Sequence, residues 1–145
     1  MSLVQPYLSF EGRAEEAAAF YVKVLGAQLE MLMRNDENPE PPQEGMGMVP
    51  PGAEKKVLHM SLRIGDSVVM GSDGACTGQA NFSGIMLAHS VATVAEAERA
   101  FAGLAEGGQV QMPLTRTFFS PSFGMLADKF GVGWMVMVDA PPPAA

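Results

Sequence analysis

The first half of the chain shows two hydrophobic periods in succession. Ala17, Phe20, Tyr21 and Val24 recur at the i, i+3, i+4, i+7 spacing of a buried helix face, and Gly26 follows as a helix stop. Further along, apolar and polar residues alternate, which is the period of a half-buried strand. The pattern predicts a strand at 3–10, a helix at 13–25, a strand at 27–34 and a hairpin of 57–63 with 67–73.

The second half repeats this order of elements. Thr93 and Glu96 have the T-x-x-E spacing of a capping box, so we expect a helix to begin there and to run over about 93–106. Glycines 107 and 108 then end it. The pattern predicts strands at 82–90, 109–112, 115–119, 123–128 and 132–138, and a helix stripe of Ala97, Ala100, Phe101 and Leu104.

Shifting the first half by about 80 residues places its strand–helix unit on the second, which indicates an internal duplication. We expect a single α+β domain of two βαβββ modules, 1–73 and 82–138, joined by a linker at 74–81. The segment 35–56 is rich in proline and glycine and is predicted to be a flexible loop or lid, and 139–145 a disordered tail. If each module packs its helix on one sheet face, the other faces are left to line one concave cavity.

Composition narrows the class of protein. The net charge of −7 disfavours nucleic acid or an anionic membrane as a partner, since both require clustered Lys and Arg. The sequence has one cysteine, no apolar run long enough to span a membrane and no signal-peptide pattern at its start. We therefore expect a cytoplasmic protein. Twelve methionines are many for this length, and methionine fills cores and adaptable binding surfaces alike.

Four segments carry a resemblance to a known family: 6–28, 59–73, 82–90 and 112–136. The last, with FG-x-L-x-DKFGV-x-WM, is the most specific. The sequence resembles the PhnB-like branch of the vicinal-oxygen-chelate (glyoxalase/bleomycin-resistance protein/dioxygenase) superfamily, whose members often carry the label 3-demethylubiquinone-9 3-methyltransferase-like. A methyltransferase needs a methyl-donor site, commonly a glycine-rich turn between a strand and a helix of a Rossmann-like sheet, and this sequence shows no such motif.

The resemblance implies the paired-module fold and a homodimer. In metal-using members it also implies four His, Gln or Glu ligands on the first and last strands of each module. The corresponding places here hold Pro6, Val69 or Met70, Met86 and Met135, and Pro121 stands where the PhnB-like pattern often has histidine. Because none of these offers an oxygen or imidazole ligand, we expect no metal and no cofactor.

His59, Ser61 and Arg63 alternate with Met60, Leu62 and Ile64, so the two sets are expected on opposite faces of one strand. The polar set either forms one wall of a ligand site, in which Arg63 favours an anionic or carbonyl-bearing ligand and His59 could act as a base, or is a solvated surface. The apolar floor of that site is expected to include Met70, Met86 and Met135, which could equally be core. Phe119, beside Phe118, either stacks on the ligand or forms a dimer contact.

Three further residues with reactive side chains have structural interpretations. His89 has the opposite strand parity to Met86, so we expect it to face its helix or solvent. Cys76 has no neighbouring base or cation to lower its pKa and is interpreted as an incidental thiol. Asp128 precedes Lys129, Phe130 and Gly131 and is interpreted as a turn residue.

Three functions are compatible with these patterns. The first is metal-free binding or sequestration of a small, partly apolar molecule. The second is a lyase or isomerase of the same superfamily, using a displaced metal site or His59 with Arg63. The third is a structural module whose cavity is filled by its own side chains. The apolar replacements at the four ligand places favour the first.

Overall fold

The computed structural model describes residues 2–40 and 51–139. Within these residues the chain forms eight strands, two α-helices and a short 3-10 turn at Asn35–Glu37. The elements are β1 (Tyr7–Ser9), α1 (Ala14–Leu25), β2 (Gln28–Arg34), β3 (Val57–Ile64), β4 (Ser67–Ser72), β5 (Met86–Val91), α2 (Val94–Ala105), β6 (Gln109–Thr115), β7 (Phe123–Ala127) and β8 (Gly133–Val138).

The strands form two four-stranded mixed sheets of the same topology. The first has the order β1-β4-β3-β2 and the second the order β5-β8-β7-β6. In each sheet the first strand pairs in parallel with the last, and the other pairings are antiparallel. The predicted α+β fold of two βαβββ modules is confirmed, because the second sheet repeats the order of the first four strands later in the chain.

The chain divides after Ala80 into two compact units, each with one sheet and one helix. In the first unit α1 packs against β2 and β3, and in the second α2 packs against all four strands. Each core therefore lies between a helix and one face of its sheet. We call that face the helix face and the opposite one the open face. No helix in the described segments combines the length and apolar character needed to cross a membrane.

Helix α1 buries three of the four predicted stripe residues, with Val24 half-buried, and is capped at both ends. Ala17, Phe20 and Tyr21 are 7% exposed or less. Gly26 ends the helix in the left-handed conformation, with φ of 66°, which glycine adopts without strain. At the other end, the carboxylate of Asp73 accepts hydrogen bonds from the amides of Gly12 and Ala14. The helix start is thus capped from a residue outside the helix.

Helix α2 begins at the predicted residue. The Thr93 hydroxyl accepts from the amide of Glu96 at 3.1 Å, which satisfies one of the unpaired amides of the first turn. The Glu96 carboxylate accepts from the amide of Ala92 at 3.5 Å rather than from that of Thr93, so the capping box is shifted by one residue. The predicted stripe of Ala97, Ala100, Phe101 and Leu104 is buried.

Four predicted strands differ from the observed ones by more than one residue. The strand expected at 3–10 is limited to Tyr7–Ser9, because Pro6 cannot donate an amide hydrogen bond. The strand expected at 82–90 is Met86–Val91. The strands expected at 109–112 and 115–119 are a single strand, Gln109–Thr115, which passes through Pro113. It can do so because β6 lies at a sheet edge, where a missing donor is tolerated, and its pairing is irregular on both sides of Met112.

The described ends of the segment 35–56 are held together by hydrogen bonds. The amide of Asn35 donates to the carbonyl of Lys56, and the amide of Asp36 donates to that of Glu54, both at 2.9 Å. The middle of the predicted lid, residues 41–50, lies outside the described residues, as does most of the predicted tail, 140–145.

Candidate functional site

Strand β3 presents two chemically different faces, as the alternation predicts. Met60, Leu62 and Ile64 are 1%, 1% and 7% exposed and lie on the helix face. His59, Ser61 and Arg63 lie between them and are half-buried on the open face. The open face of the first unit therefore carries an imidazole, a hydroxyl and a guanidinium along one strand.

The strand register also identifies the neighbours of these side chains. Residues directly opposite one another in a sheet share a face, and Met70 pairs with both Tyr7 and Ser61. Val69 pairs instead with the buried Leu62, so it belongs to the helix face. Of the two alternatives left open by the sequence, Met70 is the residue on the open face.

Tyr7, rather than Pro6, is the β1 residue whose side chain lies on the open face. Its hydroxyl is 3.2 Å from Nδ1 of His59, and the two rings are stacked with centroids 5.6 Å apart and planes inclined by 29°. Pro6 contributes its carbonyl, which accepts from the amide of Met70 at 3.0 Å. No local pattern pointed to Tyr7, because its partner lies 52 residues away.

Arg63 is already paired on its own sheet. Its Nε lies 2.9 Å from a carboxylate oxygen of Glu30, and both side chains are about two-fifths exposed. A half-exposed ion pair of this kind contributes little to stability. It does, however, offset the positive charge that was expected to attract an anion. The polar character of this face therefore rests mainly on His59, Tyr7 and Ser61.

The open face of the second unit is lined by methionines. Met135 pairs with Met125, which pairs with Met112, so three thioethers lie side by side across β8, β7 and β6. Met135 also pairs with Ala88 on the other side. Met86 pairs with Gly133 and packs so closely over it that a Cβ there would lie 3.1 Å from the Met86 Cγ.

The aromatic residues Phe118 and Phe119 lie in the loop between β6 and β7. Phe119 is 44% exposed and stacks edge-on against Phe123, with centroids 4.9 Å apart. Phe118 contacts Phe119 in the same way at 5.1 Å and is otherwise fully exposed. Phe119 thus borders the open face of the second unit, because Phe123 pairs with Met137 on that face.

The predicted site residues are divided between the two units. His59, Ser61, Arg63 and Met70 lie on the open face of the first sheet. Met86 and Met135 lie on the open face of the second sheet, and Phe119 borders it. Among residues 2–40 and 51–139, no three His, Cys, Asp or Glu side chains are arranged to hold a metal ion.

Two of the three residues given structural interpretations, His89 and Cys76, lie outside both open faces. His89 packs edge-on against Trp134, and this burial lowers the pKa of His89, with a smaller opposing effect from Glu96. Burial raises the pKa of the Cys76 thiol, and the charge of Asp73 adds to this effect. A raised pKa keeps a thiol protonated and unreactive, in agreement with the interpretation of Cys76 as incidental.

Two buried carboxylates organise the turns of the fold. Asp128 accepts from the amides of Phe130 and Val132 and from Nε1 of Trp134. It is a turn residue, as the sequence indicated, and it also holds the indole of β8. Asp73 accepts from three amides and was not singled out from the sequence, where it appears only as the end of a hairpin.

An open cleft of about 630 Å³ lies elsewhere in the first unit, at the N-terminal end of α1. Arg34 pairs there with Glu15, and Lys55 with Asp36, each at 2.6 Å, and the Lys56 ammonium donates to the carbonyl of Gly12. Its charges are thus largely satisfied internally, and none of the predicted site residues lines it. We do not assign it a ligand.

Comparison with known proteins gives a consistent result. Residues 2–137 match the model of the family described as 3-demethylubiquinone-9 3-methyltransferase. The chain is 36% identical over 138 residues to protein YjdN of Escherichia coli (strain K12), covering 93% of this chain and 94% of that protein.

Solved structures show the same fold. Protein PA1353 from Pseudomonas aeruginosa is 37% identical with a TM-score of 0.81, covering 96% of this chain and 98% of that one. A putative 3-demethylubiquinone-9 3-methyltransferase, PhnB protein, from Bacillus cereus is 29% identical with a TM-score of 0.74, covering 94% and 99%. Members of the glyoxalase/bleomycin-resistance superfamily share the fold at much lower identity.

Proposed function

Because the chain belongs to the family described as 3-demethylubiquinone-9 3-methyltransferase, with the paired βαβββ fold of its PhnB relative, we propose that it binds a small, partly apolar molecule on the open faces of its sheets. Each open face is proposed as a binding surface by itself. The first offers hydrogen bonds through His59 and Ser61, and the second offers apolar contact through its methionines, with Phe119 at its border.

The distribution of methionine is the main support for this proposal. Nine methionines lie in the described strands, and only Met60 is on a helix face. Core packing alone would place them on the helix faces, where the buried residues are. Methionine is flexible and polarisable, and it suits surfaces that must fit a ligand. The eight methionines on the open faces are Met31, Met33, Met70, Met86, Met112, Met125, Met135 and Met137.

Binding is favoured over methyl transfer by the turn between β1 and α1. In methyltransferases a glycine-rich turn of this kind commonly holds the methyl donor. Here the turn contains one glycine, and the amides of Gly12 and Ala14 already donate to Asp73. The start of the helix therefore has an internal partner where a donor would be held.

A lyase or isomerase reaction that uses His59 is the second candidate. The hydrogen bond between Tyr7 and His59 favours it, because a histidine held by a second group is suited to proton transfer. Chemical conversion of a bound compound would identify the chain as such an enzyme. Loss of turnover in His59→Ala, with the compound still bound, would separate catalysis from binding.

Thermal-shift screening of the full chain against a metabolite panel tests the proposal. We expect at least one compound with an apolar body to raise the melting temperature. Met135→Glu should abolish the shift of a compound bound on the second open face, because it places a charge beside the paired Met125 and Met112. Val94→Glu, a change of the same kind at an exposed position of α2, should leave it intact. A panel without effect, or equal shifts in both variants, would contradict the proposal.

A further inference from the structure

We propose that Tyr7 is a positioning residue that fixes the tautomer and orientation of His59, so that Nε2–H of His59 is directed to an oxygen atom of the ligand. This inference rests on the proposed binding function and identifies the chemical class of the ligand. The bound molecule would carry a carbonyl or carboxylate oxygen on an apolar body.

Tyr7 and His59 form a close side-chain pair across the first sheet. In the sheet order, β4 lies between β1 and β3, and the register places Tyr7 in line with Ser61. The backbones of Tyr7 and His59 are therefore separated by two strand spacings, about 9–10 Å across the sheet, and also by two residues along it. Their side chains nevertheless meet over β4, with 3.2 Å between the hydroxyl and Nδ1 and the rings stacked. The imidazole is therefore held from one side by both a hydrogen bond and ring contact.

The Tyr7 hydroxyl is the favoured donor of this hydrogen bond. A neutral imidazole has one N–H and one nitrogen with a free lone pair. The phenol oxygen is a poor acceptor, because its lone pair is delocalised into the ring, whereas its O–H is a good donor. The favoured arrangement has the Tyr7 hydroxyl donating to Nδ1. The proton of neutral His59 must then reside on Nε2.

The other ring nitrogen of His59, Nε2, is open to a ligand. Within the described residues, Nδ1 is the ring nitrogen of His59 that has a hydrogen-bond partner, and Nε2 has none. Its N–H is thus available to an incoming acceptor. Met33 lies directly opposite His59, and Ser61 is two residues along the same face. An oxygen bound to Nε2–H would have an apolar side chain and a hydroxyl beside it.

The ion pair of Arg63 with Glu30 bears on the charge that a ligand needs. Since this guanidinium is paired with Glu30, binding does not require a full negative charge on the ligand. A neutral imidazole donor serves a carbonyl oxygen as well as a carboxylate. Oxygen-bearing apolar compounds should therefore bind, and their hydrocarbon counterparts should bind less well.

The direct test is the nitrogen-15 NMR spectrum of the histidine side chains in wild type and Tyr7→Phe. At about pH 8.5, where an ordinary imidazole is neutral, the two ring nitrogens report which one carries the proton. We expect His59 to be the Nε2–H tautomer in wild type and a mixture in the variant. His89, the other histidine of the chain, packs on Trp134 and should not change. Identical His59 tautomers in both proteins, or Nδ1–H in wild type, would overturn the proposal.

A binding measurement separates this inference from the proposed function. Phenylacetate and toluene are used as probes with the same ring, with and without the carboxylate. Tyr7→Phe should weaken phenylacetate binding about three- to tenfold, as expected for one hydrogen bond, and change toluene binding less than about twofold. Equal effects on both probes would overturn the role of Tyr7. If wild type bound neither probe, the inferred ligand class would be wrong, a metabolite panel without effect would overturn the proposed function, and the imidazole spectra would still decide the tautomer.

Discussion

The side chain of Asp73 connects three parts of the first unit. Its carboxylate, only 2% exposed, accepts from the amides of Gly12, Ala14 and Val57, at 3.1, 2.7 and 2.7 Å. It thereby joins the turn after β1, the start of α1 and the start of β3. Hydrogen bonds to a charged acceptor are among the stronger ones in proteins, and a buried carboxylate requires them.

Asp73→Asn should therefore destabilise the chain strongly. The amide has the same shape, but it loses the charge and places an N–H₂ donor against a backbone donor. We expect the free energy of unfolding, measured in urea, to fall by about 2–3 kcal/mol. Asp66→Asn, in the exposed turn between β3 and β4, is the matched control and should change it by less than about 0.5 kcal/mol. If Asp73→Asn lost no more stability than Asp66→Asn, the three amide contacts would contribute little to the free energy of unfolding.

His89 should make stability depend on pH. Burial lowers the pKa of His89 in the folded state, so the unfolded chain takes up this proton first as the pH falls. Stability should be complete above about pH 6.5, the ordinary value for histidine, and decline as the pH falls through the lower, folded-state pKa. Urea unfolding at several pH values should show a smaller decline in His89→Gln than in wild type.

The carboxyl group of Glu11 affects stability in a lower pH range. The hydrogen bond from Ser9 lowers the pKa of Glu11, so its contribution is lost only below the ordinary glutamate value. The decline assigned to His89 begins near pH 6.5, above that range, so its onset can be measured separately. If His89→Gln had the same pH profile as wild type, the burial of the imidazole would have no effect on stability.

At the scale of single elements, β3 is where core and candidate site meet. Truncation of a helix-face residue should leave a cavity in the core, whereas truncation on the open face should not. We expect Leu62→Ala to lower the free energy of unfolding by about 2–5 kcal/mol and to leave ligand specificity unchanged. His59→Ala should weaken ligand binding with little loss of stability. The opposite outcome would mean that the ligand does not bind on the open face.

The elements that could be predicted from sequence are those with a local period. Both helices and the β3–β4 hairpin have such a period, and their bounds agree with the structure to within one or two residues. Strand β6 was divided in two at Pro113, because its tolerance of proline comes from lying at a sheet edge. The predicted start of α2 had a local capping signal, whereas α1 is capped by Asp73 from a distance of 59 residues.

The candidate site shows the same division between features set by neighbouring residues and features set by distant ones. Strand alternation placed His59, Ser61 and Arg63 on one face correctly, because it needs only neighbouring residues. Tyr7 and Glu30 were missed, since their contacts with His59 and Arg63 depend on the order and register of the strands. A shift of one residue in β1 was enough to direct attention to Pro6 instead of Tyr7.

At the scale of the whole molecule, the described surface includes apolar groups that a monomer would leave in water. Phe118 is fully exposed and Ile85 is 66% exposed. Strands β1, β2, β5 and β6 are sheet edges in the described residues, and open edges favour association. The net charge of −7 opposes non-specific aggregation, so a defined interface is the expected outcome.

We therefore expect a homodimer with Phe118 at its contact surface. Multi-angle light scattering at micromolar concentration should give twice the chain mass of 15.3 kDa. Phe118→Ser should shift the population towards monomer, because an exposed aromatic residue at an interface is a common source of binding energy. Val22→Ser, which removes a 42% exposed apolar side chain from α1, is the control and should leave the mass unchanged. A wild-type mass near that of one chain would exclude the dimer, and a dimer unaffected by Phe118→Ser would place the interface elsewhere.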